Sequence, residues 1–166
     1  MNINIEGAIT INAERSIVFD YISNLENDKY WRKEINWTAM TAKPALGALA
    51  EESSFLSKRA PNNILKLHCI EFLGNKKVVY QTVPGSTFYL KSSRLVEAIS
   101  ASECKVIYSL SFDNGIIKHA LGFSLPMFVS RMVAKNDMKK YLATLKSILE
   151  TGNVSHISKE EQQVKA

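Results

Sequence analysis

The stretch ECKVIYSLSFD (103–113) runs straight into NGIIKHALGFSLPMFVSRMVAKNDMKKYLATLKSILE (114–150), and the change of rhythm at Asn114-Gly115 decides the fold. Before that point Cys104, Val106, Tyr108, Leu110 and Phe112 alternate with Lys105, Ser109 and Ser111, with Ile107 the one exception. A period of two is a strand with one buried face. After it, Leu121, Leu125, Phe128, Met132, Met138, Leu142, Leu145 and Leu149 recur at spacings of three or four, with one turn skipped at Lys135. That is the apolar stripe of a long amphipathic helix. Pro126 is placed to begin, kink or restart this helix, and Gly152 to end it.

Upstream, the segment from Ile35 to Phe112 reads as six strand-like runs separated by turn signals such as Pro61-Asn62-Asn63, Gly74-Asn75 and Pro84-Gly85-Ser86. A regular succession of this kind predicts an antiparallel meander. At the N-terminal end, Ile3, Ile5, Ile9 and Ile11 share one parity and Asn4, Glu6 and Thr10 the other, which adds a seventh strand. Gly7 falls in its buried register, where a glycine marks a bend, a bulge or a close approach. Asn12 offers a helix cap, and Ile17, Val18, Phe19, Tyr21 and Ile22 give the following helix a broad apolar face. A second short helix or turn is expected over 24–33.

The order is strand, two short helices, six strands, long helix, which makes the chain α+β. One long helix buries its stripe only if the sheet wraps around it, so the sheet must be curved. Residues 1–150 form this one domain, and 151–166, polar and charged, read as a flexible tail.

Composition narrows the function classes. A 46% hydrophobic, 22% charged chain of 166 residues builds a full core without disulfide staples. Cys69 and Cys104 stand far apart, with no CxxC pair or Cys/His cluster for a metal. MNINIEGAITI (1–11) has no basic start and no signal-type apolar run, and no stretch approaches a membrane span, so the expectation is a cytoplasmic chain without integral membrane association. The formal charge is +5, but no Lys/Arg run exceeds a pair, and this argues against a nucleic-acid partner.

Several segments together resemble the START-like, or SRPBCC, superfamily, in particular its polyketide cyclase/dehydrase-like members. They are INAERSIVFDYISNLENDKYW (11–31), LVEA (95–98) ahead of Val106-Ile107-Tyr108, and YLATLKSILE (141–150) closing the last helix. The resemblance spans residues 3–150. It implies a helix-grip fold, a seven-stranded antiparallel sheet curved around the C-terminal helix, with an apolar cavity between them. It also implies a hydrophobic or amphipathic small molecule as partner (a lipid, polyketide, quinone or similar); no cofactor is expected.

On that frame Trp37, Phe55, Tyr80, Leu90 and Tyr108 on the strands, and Phe128 and Met132 on the helix, are expected to line the cavity. His68 is either a general base in the cavity or a structural histidine. Arg94 shares the parity of Phe88, Leu90, Val96 and Ala98. It is either a cation inside the cavity, positioned for an anionic head group, or a rim arginine paired with a nearby acid. No GxSxG, HExxH or phosphate loop is present, and adjacent Glu51 and Glu52 point to opposite faces of a strand, so they are no dyad. A binding protein is the preferred reading. The alternatives are a cyclase- or dehydratase-type enzyme using the same cavity, and a protein-interaction module. Nothing in the sequence sets the oligomeric state.

Overall fold

The structure is a computed structural model that describes residues 1–151. Strand β1 (Asn2–Ile11) leads into helix α1 (Arg15–Ser23), a 3-10 turn (Leu25–Asn27) and helix α2 (Asp28–Trp31). Six strands follow: β2 (Ile35–Met40), β3 (Leu49–Ser54), β4 (Asn63–Leu73), β5 (Lys77–Thr82), β6 (Leu90–Ser100) and β7 (Glu103–Asp113). Helices α3 (Gly115–Leu121) and α4 (Met127–Glu150) close the described chain. The strands pair antiparallel in the order β1-β7-β6-β5-β4-β3-β2, a curled sheet with the meander intact and β1 brought back beside β7. This is the helix-grip arrangement. No helix among the described residues is long and apolar enough to cross a membrane.

The period-two pattern of the sequence becomes the inner face of the sheet. Ile3, Ile5 and Ile11 of β1, Leu65, Leu67 and Cys69 of β4, and Cys104, Val106, Tyr108 and Phe112 of β7 are buried. β1 and β7 pair without a slip from Asn2↔Asp113 to Ile11↔Cys104. Gly7 therefore marks no bulge. A Cβ there would stand 3.0 Å from both Leu142 Cδ1 and Met138 Sδ. The missing side chain lets α4 lie directly against β1. The helix is tied at its other end too, where Glu150 Oε1 accepts the Asn12 backbone N–H (2.8 Å).

Two helix expectations change. Asn12 is not the cap of α1; Glu14 holds that position, and Asn12 is engaged by Glu150 instead. Ile17, 51% exposed, lies off the buried face formed by Val18, Phe19, Tyr21 and Ile22. The C-terminal stripe is also interrupted. Pro126 is the residue before α4, as its missing N–H favours, and Gly122 (φ +83) ends α3. α4 buries Ser130, Met138, Leu142, Leu145 and Leu149, while Phe128 and Met132, about 80° round the same continuous helix from Met138 and Leu142, face outward. The skipped turn at Lys135 was the sequence mark of that change of face. Gly152 and the tail at 152–166 lie outside the described residues.

Filling the Gly7 contact tests how tightly the sheet grips α4. Gly7→Val gains strand propensity but overpacks Met138 and Leu142, which costs about 1–3 kcal/mol. The expected net effect is a lower thermal midpoint, with about 2–4 °C lost per kcal/mol for a chain of this size. Ala8→Val, at the neighbouring exposed position, is expected to leave the midpoint nearly unchanged. Equal midpoints for the two variants would contradict the close approach.

Candidate ligand cavity and its buried charge network

The inner face of β6 alternates Leu90, Ser92, Arg94 and Val96, all buried. Arg94 is 1% exposed, and a guanidinium at that depth needs every donor engaged. Asp28, fully buried at the start of α2, meets it in a two-pronged pair: Arg94 Nη1 donates to Oδ1 at 2.7 Å and Nη2 to Oδ2 at 2.5 Å. Nη1 also donates to the Ile22 carbonyl (2.7 Å) and Nε to Ser92 Oγ (3.3 Å). The guanidinium lies 5.2 Å from the Trp31 ring and 5.4 Å from the Tyr108 ring, within cation–π range.

Asp28 serves a second arginine. Arg32, one helical turn on, donates from Nη1 to Asp28 Oδ2 (3.0 Å) and reaches Glu52 Oε2 at 3.5 Å. Its Nε and Nη2 both donate to Glu34 Oε1 (3.2 and 2.9 Å). Burial disfavours the charge on Arg32, but the acidic groups around it, Tyr108, Glu34, Glu52 and Asp28, more than offset that and hold it well above its ordinary range. Burial pushes the Glu52 carboxyl up despite Arg32, so it holds a proton more readily than an ordinary glutamate. Burial likewise raises the Tyr108 phenol, and burial together with nearby Glu34 raises Tyr141. Both rings are neutral hydroxyl groups at physiological pH.

This network forms one wall of a cavity of about 220 Å³ between the sheet, α3 and α4. Arg32, Glu34, Glu52, Tyr108 and Tyr141 make its polar side, with Asp137 also lining it. Leu65, Leu90, Phe112 and Ile116 are among the residues of its apolar side. Three buried polar atoms on the lining residues have no hydrogen-bond partner among the described residues: Tyr108 Oη, Glu34 Oε2 and Asn63 Nδ2. Buried groups of this kind are ordinarily satisfied, so each asks for a guest atom or an ordered water.

Of the nine residues the sequence singles out, Phe55, Leu90 and Tyr108 line this cavity. Arg94 is not among the lining residues; Asp28, Ile22 and Ser92 engage four of its five N–H donors. The acid-paired alternative describes it better, although it sits at the core and not at a rim. Tyr80 is buried outside the cavity and donates its hydroxyl to the Ser23 carbonyl (2.8 Å), pinning the end of α1. His68 falls on the opposite parity from buried Leu67 and Cys69, hence on the outer sheet face. Trp37 is 41% exposed on the edge strand β2, and Phe128 and Met132 face away for the reason of phase given above. Arg32, Glu34, Glu52, Asp137 and Tyr141 were missed. The signals for some of them existed, in the spacing of four between Asp28 and Arg32 and again between Asp137 and Tyr141, and in the parity Glu52 shares with Ala50 and Ser54.

No protein-family model matches the sequence, and no curated protein does. Solved structures do. A START superfamily protein from Mycobacterium smegmatis superposes with a TM-score of 0.70 at 10% identity, covering 89% of this chain and 97% of that one. A Deinococcus radiodurans protein, DR_A0006, gives 0.67 at 11%, covering 90% and 98%. An aromatase/cyclase from Streptomyces sp. R1128 gives 0.65 at 7%, covering 95% and 96%. At these identities the likeness establishes the START-like fold.

Removing the shared carboxylate tests the network. Asp28→Asn leaves two buried guanidiniums facing a neutral group, and breaking a buried pair of this kind costs about 3–5 kcal/mol. The expected readout is a lower urea midpoint at unchanged slope. The exposed Asp20→Asn is the control and should stay within about 0.5 kcal/mol. A wild-type midpoint in Asp28→Asn would contradict the network.

Proposed function

We propose that this START-like helix-grip protein holds an amphipathic small molecule in the cavity under α4, its apolar part against the sheet and its polar end at the Tyr108–Glu34 corner. The observation that carries the reading is the 220 Å³ space, three of whose lining residues carry a buried polar atom without a hydrogen-bond partner among the described residues. An apolar cavity of about 150 Å³ takes up benzene. The larger space here suits one or two fused rings or a short branched chain, roughly ten non-hydrogen atoms. Larger lipids would have to extend through the mouth beside Phe55, which is 45% exposed.

The chemistry of the corner selects the polar group. Both guanidiniums are engaged by carboxylates, and Glu34 Oε2, with the Tyr141 hydroxyl beside it, has capacity for a further donor. A hydroxyl or amine on the guest supplies that donor, and the Tyr108 hydroxyl can donate to its oxygen. A carboxylate would meet Glu34, Glu52 and Asp137 with no free cation opposite. The guest is therefore a hydroxyl- or amine-bearing amphiphile such as a phenolic ring system, in place of the acid that an open arginine would have favoured. The Streptomyces aromatase/cyclase structure is a precedent for this fold in a protein named for ring chemistry. A catalytic reading of the same cavity has one observation in its favour: Glu52, whose carboxyl burial pushes up, is among the lining residues.

Binding by 1-naphthol, 1-naphthylamine and 1-naphthoate, followed by calorimetry, separates these cases. Naphthol or naphthylamine is expected to bind and naphthoate to bind at least about ten-fold more weakly, in line with the loss from one buried unpaired charge. Ala134→Trp, which fills the cavity from α4, is expected to abolish binding while the protein stays folded by circular dichroism. Undiminished binding in Ala134→Trp would place the guest elsewhere.

A further inference from the structure

The outer surface at the α3–α4 junction has no role in the fold or the cavity, yet it exposes large apolar side chains. Phe123 is 58% and Phe128 73% exposed, with Leu121, Met132 and Val133 also exposed. Phe128 and Met132 lie one turn apart on α4, and exposed Arg131 and Lys135 share that face. Gly122, in the left-handed region at φ +83, turns the chain outward at Phe123.

Two neighbouring loops complete this end. Ser57 Oγ donates to the Ala120 carbonyl at 2.6 Å, and the Arg59 guanidinium comes within 3.2 Å of where a Cβ would stand on Gly122. The Phe88 ring packs against His119 at 5.4 Å. The three segments that meet here, 55–62, 83–89 and 114–136, contain no Asp or Glu. They carry Lys58, Arg59, Lys118, Arg131 and Lys135, all exposed and none in an ion pair among the described residues. Arg59, Lys118 and His119 surround an open hollow floored by Gly115 and Gly122. The acids that flank the last segment are turned to other work. Asp113 Oδ1 accepts the Gly115 N–H at 2.7 Å, and Asp137 lines the cavity.

We propose that this end docks on an anionic lipid bilayer, with Phe123, Phe128 and Met132 entering the interfacial layer and the cations meeting lipid phosphates. Apolar side chains protruding from a ring of lysines and arginines match such a surface in both chemistry and sign. A second copy of the chain fits poorly, because a two-fold contact would set the same unpaired cations against themselves. Phe55, at the cavity mouth, belongs to this end, so docking sets the mouth beside the hydrocarbon in which an amphipathic guest would dissolve. The docking argument does not depend on that guest.

Flotation of the full chain with vesicles of phosphatidylcholine alone, or mixed with phosphatidylglycerol, tests this. Binding is expected on the anionic vesicles, roughly ten-fold or more above that on neutral ones, and it should fall as salt is raised. The double variants Arg59→Glu/Arg131→Glu and Phe123→Ser/Phe128→Ser are each expected to lose roughly ten-fold or more, at roughly five-fold per cation engaged, with unchanged thermal midpoints and unchanged naphthol binding. Equal binding to both vesicle types, no binding, or binding untouched by both variants would overturn the proposal. So would a dimer in analytical ultracentrifugation that the same variants dissolve, or equally tight binding to a DNA oligonucleotide.

Discussion

One buried carboxylate, Asp28, sits between two guanidiniums, and the layout of the cavity follows from that contact. Arg94 reaches it from the centre of the sheet and Arg32 from the end of α2. Taking such charges out of water is expensive, and their attraction repays it only when donors and acceptors are nearly all matched. The matching explains why α1 and α2 must lie where they do: the Ile22 carbonyl closes Arg94, and Glu34 and Glu52 close Arg32. An all-apolar core could collapse at this end. A charged one resists, because the ion pairs of Arg94 and Arg32 fix where β6, α2 and Glu34 stand. The cavity is what remains when a helix grips a sheet whose one end is held open by charge.

That constraint also reverses the expected chemistry of the guest. An arginine on the inward parity of β6 suggests an anion site when the strand is read alone. Its partner comes from 66 positions away in the chain, on a four-residue helix. With Arg94 paired behind the lining, the polar residues facing the space are the acid-paired Arg32 and a set of acidic and phenolic side chains. Backbones that superpose at 7–11% identity share the grip and not these side chains, so the selectivity argued above rests on this chain's own residues.

The sequence carried the fold well and the cavity unevenly, for one physical reason. Period-two and period-3.6 patterns report which face of an element is buried, and β1, β7 and the second half of α4 follow them closely. They do not report which element is on the other side. Leu90 and Tyr108 could be placed because strand parity alone puts them inside. Phe128 and Met132 could not, because the skipped turn at Lys135 moves the apolar stripe to another face within one continuous helix. Tyr80 and Arg94 were buried as expected, but what they touch, Ser23 and Asp28, is set by how α1 and α2 fold back over the sheet. The same change of face leaves Phe128 and Met132 on the outer side of α4, away from the cavity.

The central claim is that the guest lies under α4 with its polar group at the Tyr108 corner. The most direct measurement is a nuclear magnetic resonance titration with 1-naphthol, following backbone amides and side-chain methyls. The account predicts saturable shifts concentrated at Leu65, Leu90, Tyr108, Ile116 and Ala134, with Trp37, His68 and Phe128 unmoved. Shifts confined to the outer sheet face, or to Phe128 and its neighbours, would contradict it.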